Sequence, residues 1–394
     1  MTQKSPPLLL VGAGMYVTGR GAAGYRGTIA PAVLEACRAG QIGRLALAST
    51  RAETARDAVT AIEALGRDMG VETACAAYPA KDSDPQAFLK AAEETGAEAA
   101  IIAVPDHLHA EVTIPLLERG IHCLVVKPMA DTFENAKKMC DAARKANVVA
   151  EVEFHKRLDE ANLLMRESLR AGQLGTPLYA TIEYSQRKTV PRDIFKTWAA
   201  RTNIFQYLGV HYVDLLQWAT GFKPVRVTAW GQKNHLAALG LDTWDAMQVV
   251  IEWDTGKGSK FVSTHITNWI DPDTSSAMSD QKITVVGTEG RYDSDQKHRG
   301  VQLVTDKNGL QDINPYFTAA WHDGPDDALH FDGYGIRSVR RFIDDVIAVR
   351  NGHVTLADLE KSRPTFSACL AAAAVVDAAK CSLENASQPT VVST

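Results

Sequence analysis

Seven residues into the chain, the run Leu8 to Val11 leads straight into Gly12-Ala13-Gly14-Met15. Four aliphatic side chains in a row, with no polar alternation, suit a central parallel strand covered on both faces. A turn without Cβ atoms then lets the backbone lie against a phosphate, and the N–H groups of the segment that follows favour the anion's charge. This is chemistry for holding a dinucleotide, with Gly12, Gly14 and Met15 as its contacts. The third glycine of G-x-G-x-x-G is absent, since Val17 stands there, so the match is partial and a plain glycine turn stays open as the alternative. A second signal closes the next apolar run, Arg44 to Ser49, which ends in Ser49-Thr50-Arg51. A dinucleotide fold that binds NAD usually presents an acidic side chain there to the ribose 2′-hydroxyl. Two hydroxyls and a guanidinium instead donate to a 2′-phosphate, so these residues favour NADP and leave NAD open.

Other chemistries find less support. His107, His155 and His265 form no local pair at ligand spacing with an acid or thiol beside it, so no metal is expected. The six cysteines include no C-x-x-C pair and sit mostly in apolar or helical surroundings, as reduced packing residues do. A net charge of −5 argues against general nucleic-acid binding. Hydrophobic residues at 45 % and charged residues at 23 % fit a globular protein, and the sequence shows no apolar run that approaches the ~20 residues needed to cross a bilayer. The first strand begins too close to Met1 to leave room for a secretory leader, so a cytoplasmic location is expected.

The elements that must position these residues alternate. After the first strand comes a loop punctuated by Gly19, Gly21, Gly24 and Gly27, then a helix starting near Thr28 and Pro31. Strands at Arg44–Ser49, Glu72–Tyr78, Ala99–Val104 and His122–Val126 alternate with helices at Ala52–Leu65, Pro85–Thr95 and Thr132–Ala146, which predicts parallel pairing with right-handed crossovers. Val149–Phe154 adds a last strand, Glu160–Ala171 is a helix, Leu178–Tyr184 reads as a strand of period two, and Ile204–Ala219 as a helix. From Val225 on, VRVTAWGQ, AMQVVIEW, SKFVSTHITNW, QKITVVG and GVQLVTD form successive strand-like runs, economically an antiparallel sheet. Helices at Ile336–Ala348 and Leu356–Ala379 follow, and Asn385–Thr394 reads as a loose tail. The expected fold class is α/β: an N-terminal Rossmann dinucleotide-binding domain over 1–150, and over 151–394 an α+β domain with a large, mostly antiparallel sheet for substrate binding and oligomerisation. The C-terminal helices are candidates to pack back on the first domain. Apolar residues at both parities of AMQVVIEW and KFVSTHITNW point to a homo-oligomer, dimer or tetramer, joined through the sheet's outer face.

Five stretches taken together resemble the Gfo/Idh/MocA family of glucose-fructose oxidoreductase and inositol dehydrogenase relatives, over nearly the whole chain. Beyond the glycine strand, VPDHLHAEVTIPLLERGIHCLVVKPMADTFENAKKM is similar to the family's proline and histidine loop and its E-K-P element, with Pro105, His109, Lys127 and Pro128 matching. EFHKRLDEANLLMRESLRAGQLGTPLY is similar to the crossing into the second domain, GVHYVDLLQWATG to the helix that carries the family's catalytic histidine, at His211, and QKITVVGTEGRY to a strand pair late in its sheet.

The resemblance implies an oxidoreductase of a sugar, polyol or sugar acid, with hydride passing between nicotinamide and a substrate carbon held between Lys127 and His211. His211 is then the acid/base, and Lys127 the cation that orients the substrate oxygen, with Pro105 and His109 beside the cofactor. Two positions depart from the family: Val126 stands where its glutamate precedes the lysine, leaving Lys127 less compensated, and Tyr207 stands where an aspartate often lies one turn before the histidine. Tyr207 shares a helical face with His211, from which the phenol could donate to the substrate oxygen, orient the ring or simply pack; Asp214 lies near the same face as a substrate contact or a helix anchor. Val126, the long glycine loop, Glu153 to Arg157 and Tyr207 together resemble a D-galacturonate reductase-like branch. Lys156 and Arg157, with Arg187, Lys188 and Arg192, are then candidate partners of a uronate carboxylate. A nucleotide-binding regulator without catalysis, and a reductase of a non-sugar ring, are the alternatives.

Overall fold

The computed structural model describes residues 5–21, 24–324 and 326–393. The chain forms two compact units. The first runs to Ala130 and adds Glu134–His155 and Tyr316–Cys369; the second comprises Asp131–Phe133, Lys156–Pro315 and the chain from Leu370 on. Residues 316–369, grouped with 151–394 in the sequence reading, thus belong to the first unit.

The first unit is built on six parallel strands, β1 (Leu8–Val11), β2 (Leu45–Ala48), β3 (Cys75–Tyr78), β4 (Ala99–Ile102), β5 (His122–Val126) and β6 (Ala150–Glu153), in the order β3-β2-β1-β4-β5-β6. Every residue of β1, β2 and β4 is buried, which is why their sequences are continuous apolar runs. The order reverses between β1 and β4, where ligands of such sheets sit, beyond the carboxyl ends of the strands. The Ile29–Arg38 helix buries Val33 and Leu34 in one core with Ile62, Ile101 and Leu124, and Ile336, Val339 and Phe342 of the Tyr334–Arg350 helix join that core. The expected Leu356–Ala379 helix is two, Leu356–Glu360 and Phe366–Glu384, because Pro364 cannot continue a helix and restricts Arg363 before it. Phe366–Glu384, 19 residues with mean hydropathy 1.5, is long and apolar enough to span a bilayer, contrary to the sequence reading; more than half of it is buried, as in a core helix.

The second unit carries β7 (Pro177–Arg187), β8 (Lys223–Gln232), β9 (Ala246–Asp254), β10 (Lys260–Asp271), β11 (Ser279–Gly287) and β12 (Arg291–Asp295), and two short hairpins follow, β13 (Gln302–Thr305) with β14 (Gly309–Asp312) and, in the first unit, β15 (Ala319–Asp323) with β16 (Ala328–Asp332). A final strand, β17 (Thr390–Val391), pairs with β8, so two residues of the stretch read as a loose tail form an edge strand. The large sheet runs β12-β11-β7-β10-β9-β8-β17 and is antiparallel except where β7 meets β10. Val249, Ile251, Trp253 and Phe261 are fully buried on one face, while Tyr179, Ile266 and Trp230 stay 42–47 % exposed on the other. The segment read as one helix from Ile204 starts as a wider turn, Phe205–Gly209, before the α-helix Val210–Thr220.

Candidate active site

Gly12 ends β1 at φ 114°, and a Cβ there would lie 2.2 Å from the Ala103 carbonyl oxygen, so only glycine lets the ends of β1 and β4 approach this closely. At Gly14 a Cβ would meet open space, which leaves room for a bulky group against the backbone. Met15–Thr18 is a single helical turn capped by Gly14, so the chain after the glycines is more ordered than the long loop expected there; Ala22 and Ala23 of that loop lie outside the described residues. Ser49 is half-buried, and Thr50 and Arg51 are exposed at the carboxyl end of β2, with the Thr50 carbonyl accepting from the Asp84 N–H and the Ser83 hydroxyl.

Pro105 leads into a tight turn, Asp106–Leu108, and His109 opens the helix behind it. The His109 ring lies between two carbonyls, 2.8 Å from Pro128 O and 2.9 Å from Val104 O, and it is buried. It therefore ties the loop after β4 to the turn after β5.

Lys127 follows β5 at the same carboxyl edge and is only 7 % exposed. Burial pulls its pKa down from 10.5 to about 8, and the negative charges of Asp106 and Glu153 act against that fall. The expectation that Lys127 lacks carboxylate compensation is corrected here. Glu153 of β6 stands in register with Val126, so the charge missing from the lysine's own strand is supplied by its neighbour. Glu153 is itself buried and held from three sides: the Tyr16 hydroxyl donates to Oε2 at 3.1 Å, the Ser338 hydroxyl donates to Oε1, and His155 Nδ1 lies 3.0 Å from Oε2. Burial, then the Glu153 charge, push the Tyr16 phenol far up, so it stays a donor. His155 stacks on Tyr334 and packs against Phe317. Sequence reasoning missed Tyr16, Asp106, Glu153 and Ser338 as a group. The available signal was AEVE, two carboxylates inside a strand that is otherwise apolar, where an unpartnered charge is too costly to keep.

In the second unit, the Val210–Thr220 helix carries His211 and Asp214, both buried. A Cβ on Gly209 would lie 2.4 Å from the Phe205 ring, so glycine lets that ring fold over the start of the helix. Arg157 meets Asp214 through two bonds, Nε to Oδ2 at 2.8 Å and Nη2 to Oδ1 at 2.5 Å, a buried fork that anchors the His211 helix to the segment after β6. Lys156 donates to the side-chain oxygens of Gln281 and Gln296 and lies over the Tyr184 and Tyr212 rings. The expected substrate contacts Lys156, Arg157 and Asp214 are thereby placed among the unit's own side chains, because ions buried this deeply need fixed partners. Arg187 donates to the Ser275 carbonyl, and Arg192 pairs with Asp193 and Asp273. Tyr207 is half-buried with its ring edge-on to Phe195 at 4.8 Å and near Trp269 at 6.1 Å. Because Phe205–Gly209 winds wider than an α-helix, the one-turn spacing from Tyr207 to His211 does not hold as on an ideal helix. Among the described residues, no group of three or more His, Cys, Asp or Glu side chains is placed to hold a metal ion.

Comparison with known proteins bears on the fold and the family. Residues 21–154 match the oxidoreductase family with NAD-binding Rossmann fold, and residues 163–293 match the GFO/IDH/MocA C-terminal domain. The chain is 24 % identical over 263 residues to scyllo-inositol 2-dehydrogenase (NAD(+)) of Bacillus subtilis (strain 168), covering 66 % of this chain and 71 % of that protein. It is 32 % identical over 150 residues to D-glucoside 3-dehydrogenase of Escherichia coli (strain K12), covering 36 % of this chain and 40 % of that one. The fold also matches the structure of GenD2 from gentamicin A biosynthesis in complex with NAD, with a TM-score of 0.69, 16 % identity, and coverage of 100 % of this chain and 98 % of that one. The chain is therefore an oxidoreductase of the Gfo/Idh/MocA family, with a Rossmann domain of the NAD-binding kind.

Proposed function

We propose that the protein interconverts a secondary alcohol and a carbonyl on a neutral sugar or polyol, using NADP in preference to NAD. The observation that carries this reading is Lys127, a buried ammonium at the carboxyl edge of the parallel sheet, in the same edge as the Gly12 turn. The open space over Gly14 and the close-packed Gly12 fit a dinucleotide backbone, and the bound nicotinamide supplies the hydride chemistry. Lys127 polarises and orients the substrate oxygen. His211 takes the hydroxyl proton on oxidation and returns it on reduction, a task suited to an imidazole. Tyr207, in the second unit with His211, serves as a further hydroxyl donor to the substrate. A neutral substrate is favoured over a uronate because four of the five candidate cations, Lys156, Arg157, Arg187 and Arg192, already have acceptors within the protein. The NADP preference rests on Ser49, Thr50 and Arg51 and the lack of an acid among them. The half-exposed Tyr179, Ile266 and Trp230 on one sheet face support a homo-oligomer built through that face.

Pure protein mixed with either oxidised cofactor and a panel of inositols, aldoses, ketoses and uronates, followed by absorbance of reduced nicotinamide, tests the reading. Turnover of a neutral polyol or sugar, faster with NADP, is expected, and Arg51→Ala should narrow the cofactor preference by about tenfold, the value of one charge-assisted contact. Dinucleotide binding with no turnover of any substrate would favour the regulator instead.

A further inference from the structure

Glu153 does no chemistry in the proposed function, yet it is a buried carboxylate held by several side chains. It is 1 % exposed, in register with Val126 beside Lys127, and its two oxygens receive Tyr16, Ser338 and His155 from three separate segments. Burying a carboxylate costs several kcal/mol unless it meets a cation or a full set of donors, and here it has donors on both oxygens and the Lys127 charge as well. A residue needed only for packing would not require a charge at this place. We propose that Glu153 is a positioning residue for Lys127: from the adjacent strand it adds to the charge of Asp106 the negative charge that keeps the Lys127 side chain an ammonium, and Tyr16, Ser338 and His155 fix the carboxylate in that post. The proposal rests on Lys127 acting as the cation at the substrate oxygen.

The donors give the device a second consequence. Tyr16 belongs to the helical turn that follows Gly14, so the segment expected to lie along the dinucleotide is hydrogen-bonded to the group that tunes Lys127. Charged and titratable groups that act on this pair include Tyr16 and Tyr25 from the glycine segment, His155 after β6, and Asp106 after β4. Of these, Asp106 is the carboxylate that acts more strongly on Lys127, ahead of Glu153, and it remains in every variant below.

The test follows Lys127 itself by NMR titration of full-length protein labelled at lysine Cε, its signal assigned by its loss in Lys127→Met. In the parent the midpoint is expected near pH 8. Glu153→Gln should lower it by about one unit or more, as loss of an opposite charge at close range does. Val126→Glu added to Glu153→Gln places a carboxylate on the lysine's own strand, in register with position 153, and should recover at least half of the shift. If Glu153→Gln does not fold, Glu153→Asp withdraws the charge by one methylene and should lower the midpoint by about half a unit. The alkaline limb of the kcat/KM profile should move with the NMR midpoint. A midpoint unchanged within 0.2 unit in whichever of the two single variants folds overturns the proposal. Because the titration needs no substrate, absence of turnover would sink the functional reading while leaving this result to stand or fall by itself.

Discussion

Replacing Lys127 by methionine should make the first unit more stable while abolishing turnover. Methionine keeps most of the length of the stem and removes the charge. The pKa depression from 10.5 to about 8 is a net quantity: it contains the burial penalty and the opposing pull of Asp106 and Glu153. At 1.36 kcal/mol per unit, holding this ammonium in the folded state costs about 3 kcal/mol at pH 7. For a group whose folded pKa is depressed, the favourable contribution is complete above the unfolded value and is lost as pH falls through the folded one. The parent therefore carries the full cost below about pH 8 and sheds it between there and 10.5. The methionine variant does not titrate, so its advantage should be about 3 kcal/mol at pH 7 and only about 1 kcal/mol at pH 10. Hydrogen–deuterium exchange of peptides covering β1, β4 and β5 reads the opening free energy of this unit at both pH values. A variant less stable than the parent at pH 7, or a difference that does not change with pH, would refute the reasoning.

Gly12→Ala places a Cβ 2.2 Å from the Ala103 carbonyl at a φ that alanine resists, so it should cost about 1–3 kcal/mol and weaken dinucleotide binding at least tenfold by calorimetry; parental affinity would detach Gly12 from the cofactor. Arg157→Ala leaves Asp214 buried without its fork partner and should destabilise the second unit by about 3–5 kcal/mol in thermal or urea unfolding, whereas a loss below about 1 kcal/mol would mean the pair is not the anchor of the His211 helix. Tyr207→Phe keeps the ring contacts with Phe195 and Trp269, so unfolding should be nearly unchanged while kcat drops about tenfold or more; parental kcat would leave Tyr207 a packing residue.

Much of the first unit was legible because its strands are buried on both faces and therefore spelled as unbroken apolar runs: LLLV, LALA and AAII are read correctly to within a residue or two. The second sheet was legible through alternation, but the parallel pairing of β7 with β10 was not, since period two says which face a residue takes and nothing about the neighbour's direction. Pro364 should have split the last long helix, and the alanine-rich sequence on both sides concealed it. Thr390–Val391 found an edge only because β8 left one open, a tertiary fact invisible locally. At the site, residue types on strand ends pointed to Gly12 and Lys127. Their support did not show, because Tyr16, Asp106, Glu153 and Ser338 are dispersed through the sequence and meet by strand register and helix packing. For Lys156 and Arg157 a K-R pair near a domain crossing reads as ligand-binding, and only the fold reveals Gln281, Gln296 and Asp214 as their partners within the protein.

The most direct test of the assignment of chemistry is His211→Ala, assayed with saturating sugar or polyol and cofactor alongside the cofactor dissociation constant of the same preparation. A group that moves the proton should take kcat down by about 100-fold or more while cofactor affinity stays within about threefold of the parent. Near-parental kcat at saturation, with the variant folded and loaded with cofactor, would contradict His211 as the acid/base and with it the proposed mechanism.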